Sequence, residues 1–303
     1  MSLSAVQSIA AGNLVDSHTV LYGVIGDPIR HSKSPVMMNR AFRETGVNGI
    51  YTAFHITPDR LGAFVEGVRA MGIRGVNVTI PHKIAIMPYL DAIDPSAEAV
   101  GAVNTVVNDG GRLTGYNTDG LGYVRSLREE AEAELAGKRI VLIGAGGAAR
   151  GILHALAAEK PASIVIANRT PERAETLAAE AIGASKAGVA AAVGAVGSDG
   201  LRGACQEADI VVNTTSVGMS PHPDELPMDI DANWLRPGAV ASDIVYNPMK
   251  TRFLHEAEAA GCRIHGGLGM FIYQGAYAFE YWTSRTAPAA AMREAVLEAF
   301  HNQ

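Results

Sequence analysis

The sequence of 303 residues is long enough for two domains, at a usual size of roughly 150 residues each. With 48% hydrophobic and 18% charged residues, its composition excludes a disordered, collagen-like or disulfide-rich chain. The formal net charge of −6 gives no electrostatic reason to bind nucleic acid or an anionic membrane, and no run of about 18 apolar residues predicts a transmembrane helix. Recognition of an anionic small molecule would need locally placed hydrogen-bond donors.

Cys205 and Cys262 are the only cysteines, and they form neither a CxxC pair nor a zinc-type cluster. We therefore expect reduced thiols in a cytoplasmic protein that holds no metal. The N-terminal segment has neither a basic n-region nor an unbroken apolar h-region, so we do not expect a secretory signal in MSLSAVQSIAAGNLVDSH.

From residue 19 onward, short β-rich runs alternate with helical stretches, which predicts an α/β fold with mostly parallel sheets covered by helices. In the first half the predicted strands are TVLYGVIG, YTAFHIT, GVNVTI and VNTVVN. The turn Asp109-Gly110-Gly111 predicts a tight hairpin. Ser34 followed by Pro35 is typical of a helix N-cap with proline in the first helical position.

The second half contains a more regular series of predicted strands separated by helices: RIVLIG, SIVIAN, DIVVNTT and AVASDIVY. This pattern is typical of a nucleotide-binding domain. Residues 183–203 are rich in Ala and Gly, which we interpret as a loosely specified surface strand and short helix. The predicted domains are residues 1–118, residues 119–266, and C-terminal helices over residues 267–303 that complete the first domain, with a cleft between the two domains.

A glycine-rich turn directly follows the strand RIVLIG and directly precedes the predicted helix ARGILHALAAE. Its pattern is G-x-G-x-x-A. Because glycines lack a Cβ atom, the backbone can approach a pyrophosphate, whose charge is met by N–H groups at the helix N-terminus. The alternative is a merely tightly packed βα turn. The pattern predicts a dinucleotide site formed by Gly144, Ala145, Gly146, Gly147 and Ala148.

The residues after the next strand, SIVIA, predict which dinucleotide binds. NAD enzymes usually place Asp or Glu about 20 residues past the glycines, where it binds the ribose 2′-hydroxyl. Here Asn168, Arg169 and Thr170 occupy this position, and Arg173 follows. A guanidinium can bond a 2′-phosphate bidentately, at roughly 1.5 to 3 kcal/mol for each charge-assisted bond. NADP is therefore the predicted cofactor, and a solvated arginine face is the alternative.

Lys83 and Asp119 are candidates for acid–base chemistry. Hydride transfer to a ketone needs a proton donor beside the developing alkoxide. Lys83 follows a predicted strand, and Asp119 lies where the first predicted domain passes into the second. Taken singly, a surface lysine and a helix N-cap are the commoner roles for such residues. His82 is a rival with an unperturbed pKa of about 6.5, and residue chemistry alone does not choose between these neighbours.

Several separate motifs together resemble the shikimate dehydrogenase family, in order and spacing, from about residue 20 to the C-terminus. They are GDPIRHSKSP, GVNVTIPHK, GAVNTVV, GYNTDG, GAGGAARG, ANRTPERA, NTTSVGM and GLGMFIYQGA. The resemblance implies an N-terminal α/β substrate domain completed by the C-terminal helices and a Rossmann-type NADP domain between. It also implies reversible, NADPH-dependent reduction of 3-dehydroshikimate to shikimate, a step of aromatic amino acid biosynthesis.

Carried onto this sequence, the resemblance makes Lys83 the catalytic lysine and Asp119 its aspartate partner, with His82 a bystander. Ser32 and Ser34 match serines that hold the substrate carboxylate, although Ser34 alone suggests an N-cap. The other implied substrate residues are Asn77, Thr79, Asn104, Tyr246 and Gln274. Residue chemistry alone would assign Tyr246 to strand packing. The further implied cofactor contacts are Ile244 and Gly267.

The sequence departs from some family members in DIVYNPM and in having His82 beside the lysine. One alternative is a quinate/shikimate dehydrogenase of broad specificity that uses NAD, against which SKSP and Asn168-Arg169-Thr170 argue. Another is a non-catalytic NADP-binding paralogue that acts as a sensor. A different two-domain dehydrogenase would share only the Rossmann half. The expected partners are small molecules, and the sequence leaves the oligomeric state open, a homodimer included.

Overall fold

The computed structural model describes residues 15–184 and 192–301. The N-terminal segment over residues 1–14 and residues 185–191 of the Ala/Gly-rich segment lie outside the described residues. The chain divides into two compact units. The first unit comprises the chain up to Thr118 together with the chain from Gly275 onward, and the second is Asp119–Gln274.

The strands form two sheets. In chain order the strands are β1 (Val20–Gly26), β2 (Gly49–His55), β3 (Gly75–Val78), β4 (Ala92–Ile93), β5 (Thr105–Asp109), β6 (Arg112–Tyr116), β7 (Arg139–Ile143), β8 (Ser163–Ala167), β9 (Ala192–Val196), β10 (Ile210–Asn213), β11 (Val240–Asp243) and β12 (Arg263–His265).

Helices connect the strands, and four short 3-10 turns in the described residues cover Pro58–Arg60, Met87–Tyr89, Pro227–Asp229 and Ala232–Trp234. The α-helices are α1 (Ser34–Thr45), α2 (Leu61–Met71), α3 (His82–Ala85), α4 (Pro95–Val100), α5 (Asp119–Ala131), α6 (Gly147–Ala158), α7 (Pro171–Ala184), α8 (Ser198–Glu207), α9 (Arg252–Ala259), α10 (Leu268–Thr283) and α11 (Ala289–His301). No helix of the described residues is long and apolar enough to span a bilayer.

The first unit has a mixed sheet with the strand order β2-β1-β3-β5-β6-β4. β1 pairs in parallel with β2 and β3, whereas β5 is antiparallel to β3 and β6. Helix α2 buries Leu61, Val65 and Val68 against Ile25 and Val76 of the sheet. Helix α11 packs against α1. The C-terminal chain therefore contributes to the first unit.

The second unit has a fully parallel sheet with the strand order β12-β11-β10-β7-β8-β9. Alternate residues of β7 enter different cores: Ile140 and Leu142 pack in one, and Val141 and Ile143 in the other. A parallel sheet covered on both faces needs such continuous apolar strands. In a sheet of this order, the strand order reverses beside the central β7, where dinucleotides bind. The glycine-rich turn follows this strand.

One local prediction is wrong. Ser34 is the first residue of α1 rather than its N-cap; Lys33 occupies the capping position, and no side chain caps the helix. Instead, the Ser34 backbone N–H donates to Ser32 Oγ over 3.2 Å. The Ser34 side chain is buried and is available for another role.

Candidate functional site

The glycine-rich turn connects β7 to α6, and its first glycine is required by the backbone. Gly144 has a φ of +112°. A Cβ atom there would lie 2.8 Å from both Thr214 Oγ1 and Thr215 Cγ2. The Gly144 N–H donates to the Ala167 carbonyl over 2.7 Å, which ties the turn to the end of β8. A side chain at this position would strain the backbone and displace the loop after β10.

The next glycines face open space. A Cβ atom on Gly146 or Gly147 would have no neighbour within 4 Å, and both residues are exposed. Helix α6 begins at Gly147, without a capping side chain or an acidic residue in its first turn. Uncapped N–H groups and the positive end of a helix dipole form a site for an anion. The turn therefore fits the pyrophosphate of a dinucleotide, between Ala145 and Ala148, which are half-buried.

The residues that follow β8 border this turn, since β8 pairs with β7 through Ile143 and Ala167. Asn168 Nδ2 donates to the Thr170 carbonyl over 2.9 Å, which holds the bend before α7. Arg169, Thr170 and Arg173 are exposed. The exposed guanidinium groups of Arg169 and Arg173 can therefore meet an anion from solvent.

A third segment of the second unit lies after β11 and is held by Asp243. Asp243 Oδ1 accepts hydrogen bonds from Asn213 Nδ2 at 3.0 Å and from the Val245 N–H at 2.9 Å. The Thr251 hydroxyl donates to Asp243 Oδ2 over 2.7 Å. The buried carboxylate thus connects both ends of the loop that contains Ile244 and Tyr246.

Gly267 contacts the same loop. A Cβ atom on Gly267 would lie 2.0 Å from the Ile244 carbonyl oxygen, so no other residue fits this approach. The Gly267 N–H donates to the Val245 carbonyl over 3.2 Å. Tyr246 stacks on Phe271, with ring centroids 5.2 Å apart. The strand-packing alternative for Tyr246 is wrong because β11 ends at Asp243.

Burial raises the pKa of Asp243 to about 6, although its hydrogen bonds from Val245, Thr251 and Asn213 oppose the rise. An unfolded aspartate titrates at about pH 3.9. The native state therefore holds this proton more tightly than the unfolded state. The protonated carboxyl stabilises the native state fully below about pH 4, and this contribution to the free energy of unfolding is lost as the pH rises through about 6.

Asp243→Asn removes this titration. Between pH 4 and pH 7, we expect the free energy of unfolding of Asp243→Asn to rise relative to wild type by up to about 3 kcal/mol. Urea unfolding at a series of pH values measures the difference. The exposed Asp199→Asn is the matched control for loss of a carboxylate. A difference between Asp243→Asn and wild type that does not change with pH would contradict the expectation.

In the first unit, two predicted substrate residues, Asn77 and Asn104, share one buried hydrogen-bonded cluster. Asn77 lies in β3, and its Nδ2 donates to the Asn104 carbonyl at 3.2 Å and to Thr105 Oγ1 at 3.1 Å. The Tyr51 hydroxyl donates to Asn77 Oδ1 over 2.7 Å. The strand order β2-β1-β3-β5 brings these polar groups together.

Lys83 lies in α3, just past the end of β3, and is half-buried. Its backbone carbonyl accepts from the Val103 N–H over 2.8 Å, which connects this helix to the chain before Asn104. Thr79, also half-buried, follows β3, and its carbonyl accepts from the His82 N–H at 2.9 Å. The predicted residues Thr79 and Lys83 thus lie close together in the segment that follows β3.

His82 is fully buried, and its Nε2 lies 2.6 Å from the Ile56 carbonyl oxygen. Its Nε2 is therefore occupied within the core, whereas its buried Nδ1 has no hydrogen-bond partner among the described residues. Since a general acid must reach the reacting oxygen, this geometry disfavours His82 as the rival of Lys83.

The remaining predicted residues belong to the second unit. Asp119 begins α5, directly after Thr118, and is half-buried. Gln274 lies in α10, and its Nε2 donates to the Phe271 carbonyl at 2.8 Å. A Cβ atom on Gly122 would lie 2.5 Å from the Gln274 N atom, so α5 and α10 approach closely at this glycine.

Sequence analysis missed Tyr51, Thr105 and Asp243. Tyr51 and Thr105 have the residue types of ordinary strand positions, and their partners are distant along the chain. For Asp243, the available signal was a carboxylate at the end of an otherwise apolar strand, where α/β proteins place functional groups.

Family models match successive parts of the chain. A model described as shikimate dehydrogenase substrate binding domain matches residues 24–106. One described as shikimate/quinate 5-dehydrogenase matches residues 126–221, and one described as shikimate 5′-dehydrogenase C-terminal domain matches residues 267–297.

Individual proteins are similar over nearly the whole chain. A shikimate dehydrogenase (NADP(+)) of Moorella thermoacetica is 50% identical over 285 residues, covering 94% of this chain and 95% of that protein. The shikimate 5-dehydrogenase of Listeria monocytogenes, solved with shikimate and NAD, is 43% identical with a TM-score of 0.86. The match covers 92% of this chain and 97% of that chain. The shikimate 5-dehydrogenase of Thermus thermophilus, solved with NADP(H) and shikimate, is 37% identical with a TM-score of 0.81. The match covers 92% of this chain and 99% of that chain.

Proposed function

The chain belongs to the shikimate dehydrogenase family, and from this membership we propose that it catalyses the reversible, NADPH-dependent reduction of 3-dehydroshikimate to shikimate. The predicted family, α/β fold class and NADP cofactor are confirmed. The observation that carries the proposal for this chain is the buried hydrogen-bonded cluster that contains Asn77 and Asn104, in the unit that matches the substrate-binding model.

We propose that NADP is held by the second unit. The glycine turn over residues 144–148 would bind the pyrophosphate at the N-terminus of α6. Asn168, Arg169, Thr170 and Arg173 would surround the 2′-phosphate, which the exposed guanidinium groups can bond. Ile244 and Gly267, in contact with each other, would border the cofactor.

When bound, NADPH supplies the hydride that reduces the carbonyl carbon. We propose that Lys83 is the proton donor to the carbonyl oxygen. Its ammonium group donates to this oxygen and stabilises the negative charge that develops there. Asp119 is proposed as the aspartate partner of Lys83 in this proton transfer. In the reverse direction, Lys83 accepts the proton of the substrate hydroxyl.

The substrate residues are proposed to supply neutral hydrogen-bonding groups. Ser32 and Ser34 would bind the carboxylate, and Tyr246 would contribute its hydroxyl to the substrate. A ring with several hydroxyls needs a partner for each, because a buried site that leaves polar groups unpaired discriminates strongly. Amides and hydroxyls meet this need at Asn77, Thr79, Asn104 and Gln274.

We propose that residues 1–118 and 267–303 form the substrate domain and that residues 119–266 form the NADP domain. The parallel sheet of the second unit, with its glycine turn after β7, supports this division. A reducing cytoplasmic location is in keeping with Cys205 and Cys262, which are both buried as free thiols.

One assay tests the proposed reaction: oxidation of shikimate and of quinate, each with NADP and with NAD, followed by absorbance of the reduced cofactor. We expect the highest kcat/KM for shikimate with NADP. Activity only with quinate and NAD would contradict the proposal. Absence of turnover with every pair, combined with NADPH binding, would favour the sensor.

A further inference from the structure

A buried histidine of the second unit has no role in the proposed reaction. His265 is the last residue of β12 and is 3% exposed. Its Nδ1 lies 2.9 Å from Ser242 Oγ in β11, and its Nε2 lies 2.6 Å from Ser126 Oγ in α5. The Tyr123 hydroxyl, also in α5, donates to Ser242 Oγ over 2.8 Å. These four side chains form the His265 network, which connects α5 to two neighbouring strands.

The hydrogens of the His265 network have one consistent direction. Burial raises the pKa of Tyr123 well above its usual value, so the phenol keeps its hydrogen and donates it to Ser242. The Ser242 hydroxyl keeps its own hydrogen, which His265 Nδ1 can accept. The neutral imidazole then carries its hydrogen on Nε2 and donates it to Ser126. Since all three hydroxyl residues are fully buried, loss of one member leaves a buried polar group without its partner.

The His265 network joins the two segments that meet at Gly267. Ser242 lies opposite His265 in the register of β11 and β12. The loop that contains Ile244 begins directly after β11, and Gly267 follows His265 by two residues. A Cβ atom on Gly267 would lie 2.0 Å from the Ile244 carbonyl oxygen. Because this approach is so close, a small shift of either strand changes the contact between Ile244 and Gly267.

Helix α5 provides the fixed side of the His265 network. Tyr123 is fully buried in the same core as Leu127 of α5 and Ile140 of β7. A Cβ atom on Gly269 would lie 2.0 Å from Ser126 Oγ, so the start of α10 also packs directly against the network. The network therefore connects the ends of β11 and β12 to a helix that is packed on the centre of the sheet.

Strand order directs the nicotinamide half of the cofactor toward the loop after β11. The order is β12-β11-β10-β7-β8-β9, with the glycine turn after β7 and Arg169 after β8. With the pyrophosphate at the glycine turn and the 2′-phosphate at Arg169, as proposed, the nicotinamide extends the opposite way, across β10 toward β11. Ile244 and Gly267 then border the reacting half of the cofactor.

We propose that His265 is a positioning residue for the nicotinamide half of NADP: through Ser242 and Ser126 it fixes the contact of Ile244 with Gly267 that borders this half. Both ring nitrogens are used within the second unit, so His265 acts through the strands rather than by contact with the cofactor. The inference rests on the proposed function, because Ile244 and Gly267 are cofactor residues only in that proposal.

The test compares two ligands by isothermal titration calorimetry: NADPH, and adenosine 2′,5′-bisphosphate, which carries the 2′-phosphate but lacks the nicotinamide. His265→Leu should raise the Kd for NADPH by about 5- to 20-fold, because two buried hydroxyl groups lose their partner. The Kd for the bisphosphate should stay within about twofold, because the turn at Gly144 and the 2′-phosphate residue Arg169 are unchanged.

Ser126→Ala makes a smaller change in the same network and should raise the Kd for NADPH by about 3- to 5-fold, again without an effect on the bisphosphate. In the His265→Leu background, Ser126→Ala should change the Kd for NADPH by less than about twofold, because the imidazole through which Ser126 acts is absent.

Ile264→Ala is the matched control. Ile264 directly precedes His265 in β12 and packs against the core on the opposite face of the sheet. This change weakens the packing of β12 and leaves the His265 network in place. We expect it to change the Kd values for NADPH and for the bisphosphate by less than about twofold.

Equal losses for both ligands in His265→Leu would overturn the role of His265, since they would indicate a general defect of the second unit. So would an unchanged Kd for NADPH in His265→Leu and Ser126→Ala, or the same difference between the ligands in Ile264→Ala. A wild-type protein that binds NADPH but does not oxidise shikimate would contradict the proposed reaction alone, whereas one that binds no NADPH would overturn both proposals.

Discussion

Lys83→Ala is expected to lower kcat for shikimate oxidation by about 10²- to 10⁴-fold, the usual contribution of a positioned general acid and of charge stabilisation at the reacting oxygen. Lys83 is half-buried at the start of a short helix, and its backbone carbonyl, rather than its side chain, bonds to Val103. Alanine keeps that backbone bond, so the protein should fold.

The measurement is steady-state turnover together with NADPH binding, followed by cofactor fluorescence. Binding of NADPH should stay within about threefold of wild type, because the proposed cofactor residues belong to the other unit. Lys138→Ala, a half-buried lysine just before β7, is the control for loss of an ammonium group. Turnover of Lys83→Ala close to wild type would exclude Lys83 as the proton donor.

Arg169→Asp should raise the KM for NADP by about 100-fold, since about tenfold is expected for the lost phosphate contact and a similar factor for the new repulsion. The KM for NAD should change by less than about threefold, because NAD carries a 2′-hydroxyl that a carboxylate can bind. Arg169 is exposed just after β8, so its replacement should leave the fold intact.

The control for the same change of charge is Arg202→Asp, at an exposed position of α8 in the same unit. It should alter the KM for NADP by less than about twofold. Both KM values are obtained from shikimate oxidation at fixed ionic strength, because screening changes phosphate contacts. Equal losses for NADP and NAD in Arg169→Asp would place Arg169 away from the 2′-phosphate.

The cofactor half was predictable because its signals are local. The glycine pattern, the strand before it and the helix after it are contiguous in the sequence. The preference for NADP depends on the residues directly after the strand SIVIA, where Asn168, Arg169 and Thr170 stand in place of a carboxylate. The structure has β7, α6 and β8 in these places. Helix starts were less predictable: Ser34 has the residue type of an N-cap but is the first residue of α1.

The substrate half was recognised through the family resemblance, and its individual roles for Lys83, Asp119 and the substrate residues stay predictions. Residue type alone did not separate Lys83 from His82. The structure separates them by burial, because His82 lies in the core against the Ile56 carbonyl while Lys83 is half-buried.

The sequence by itself determined the α/β class, the βα turn for a dinucleotide and the arginines that favour NADP, since each depends on neighbours along the chain. Only the tertiary structure decided that Tyr51 contacts Asn77, 26 residues away, and that Asp243 contacts Asn213, 30 residues away. Such contacts depend on the order of strands in a sheet, and burial makes each unpaired polar group costly. The buried polar partners of a site therefore emerge from strand order rather than from local pattern.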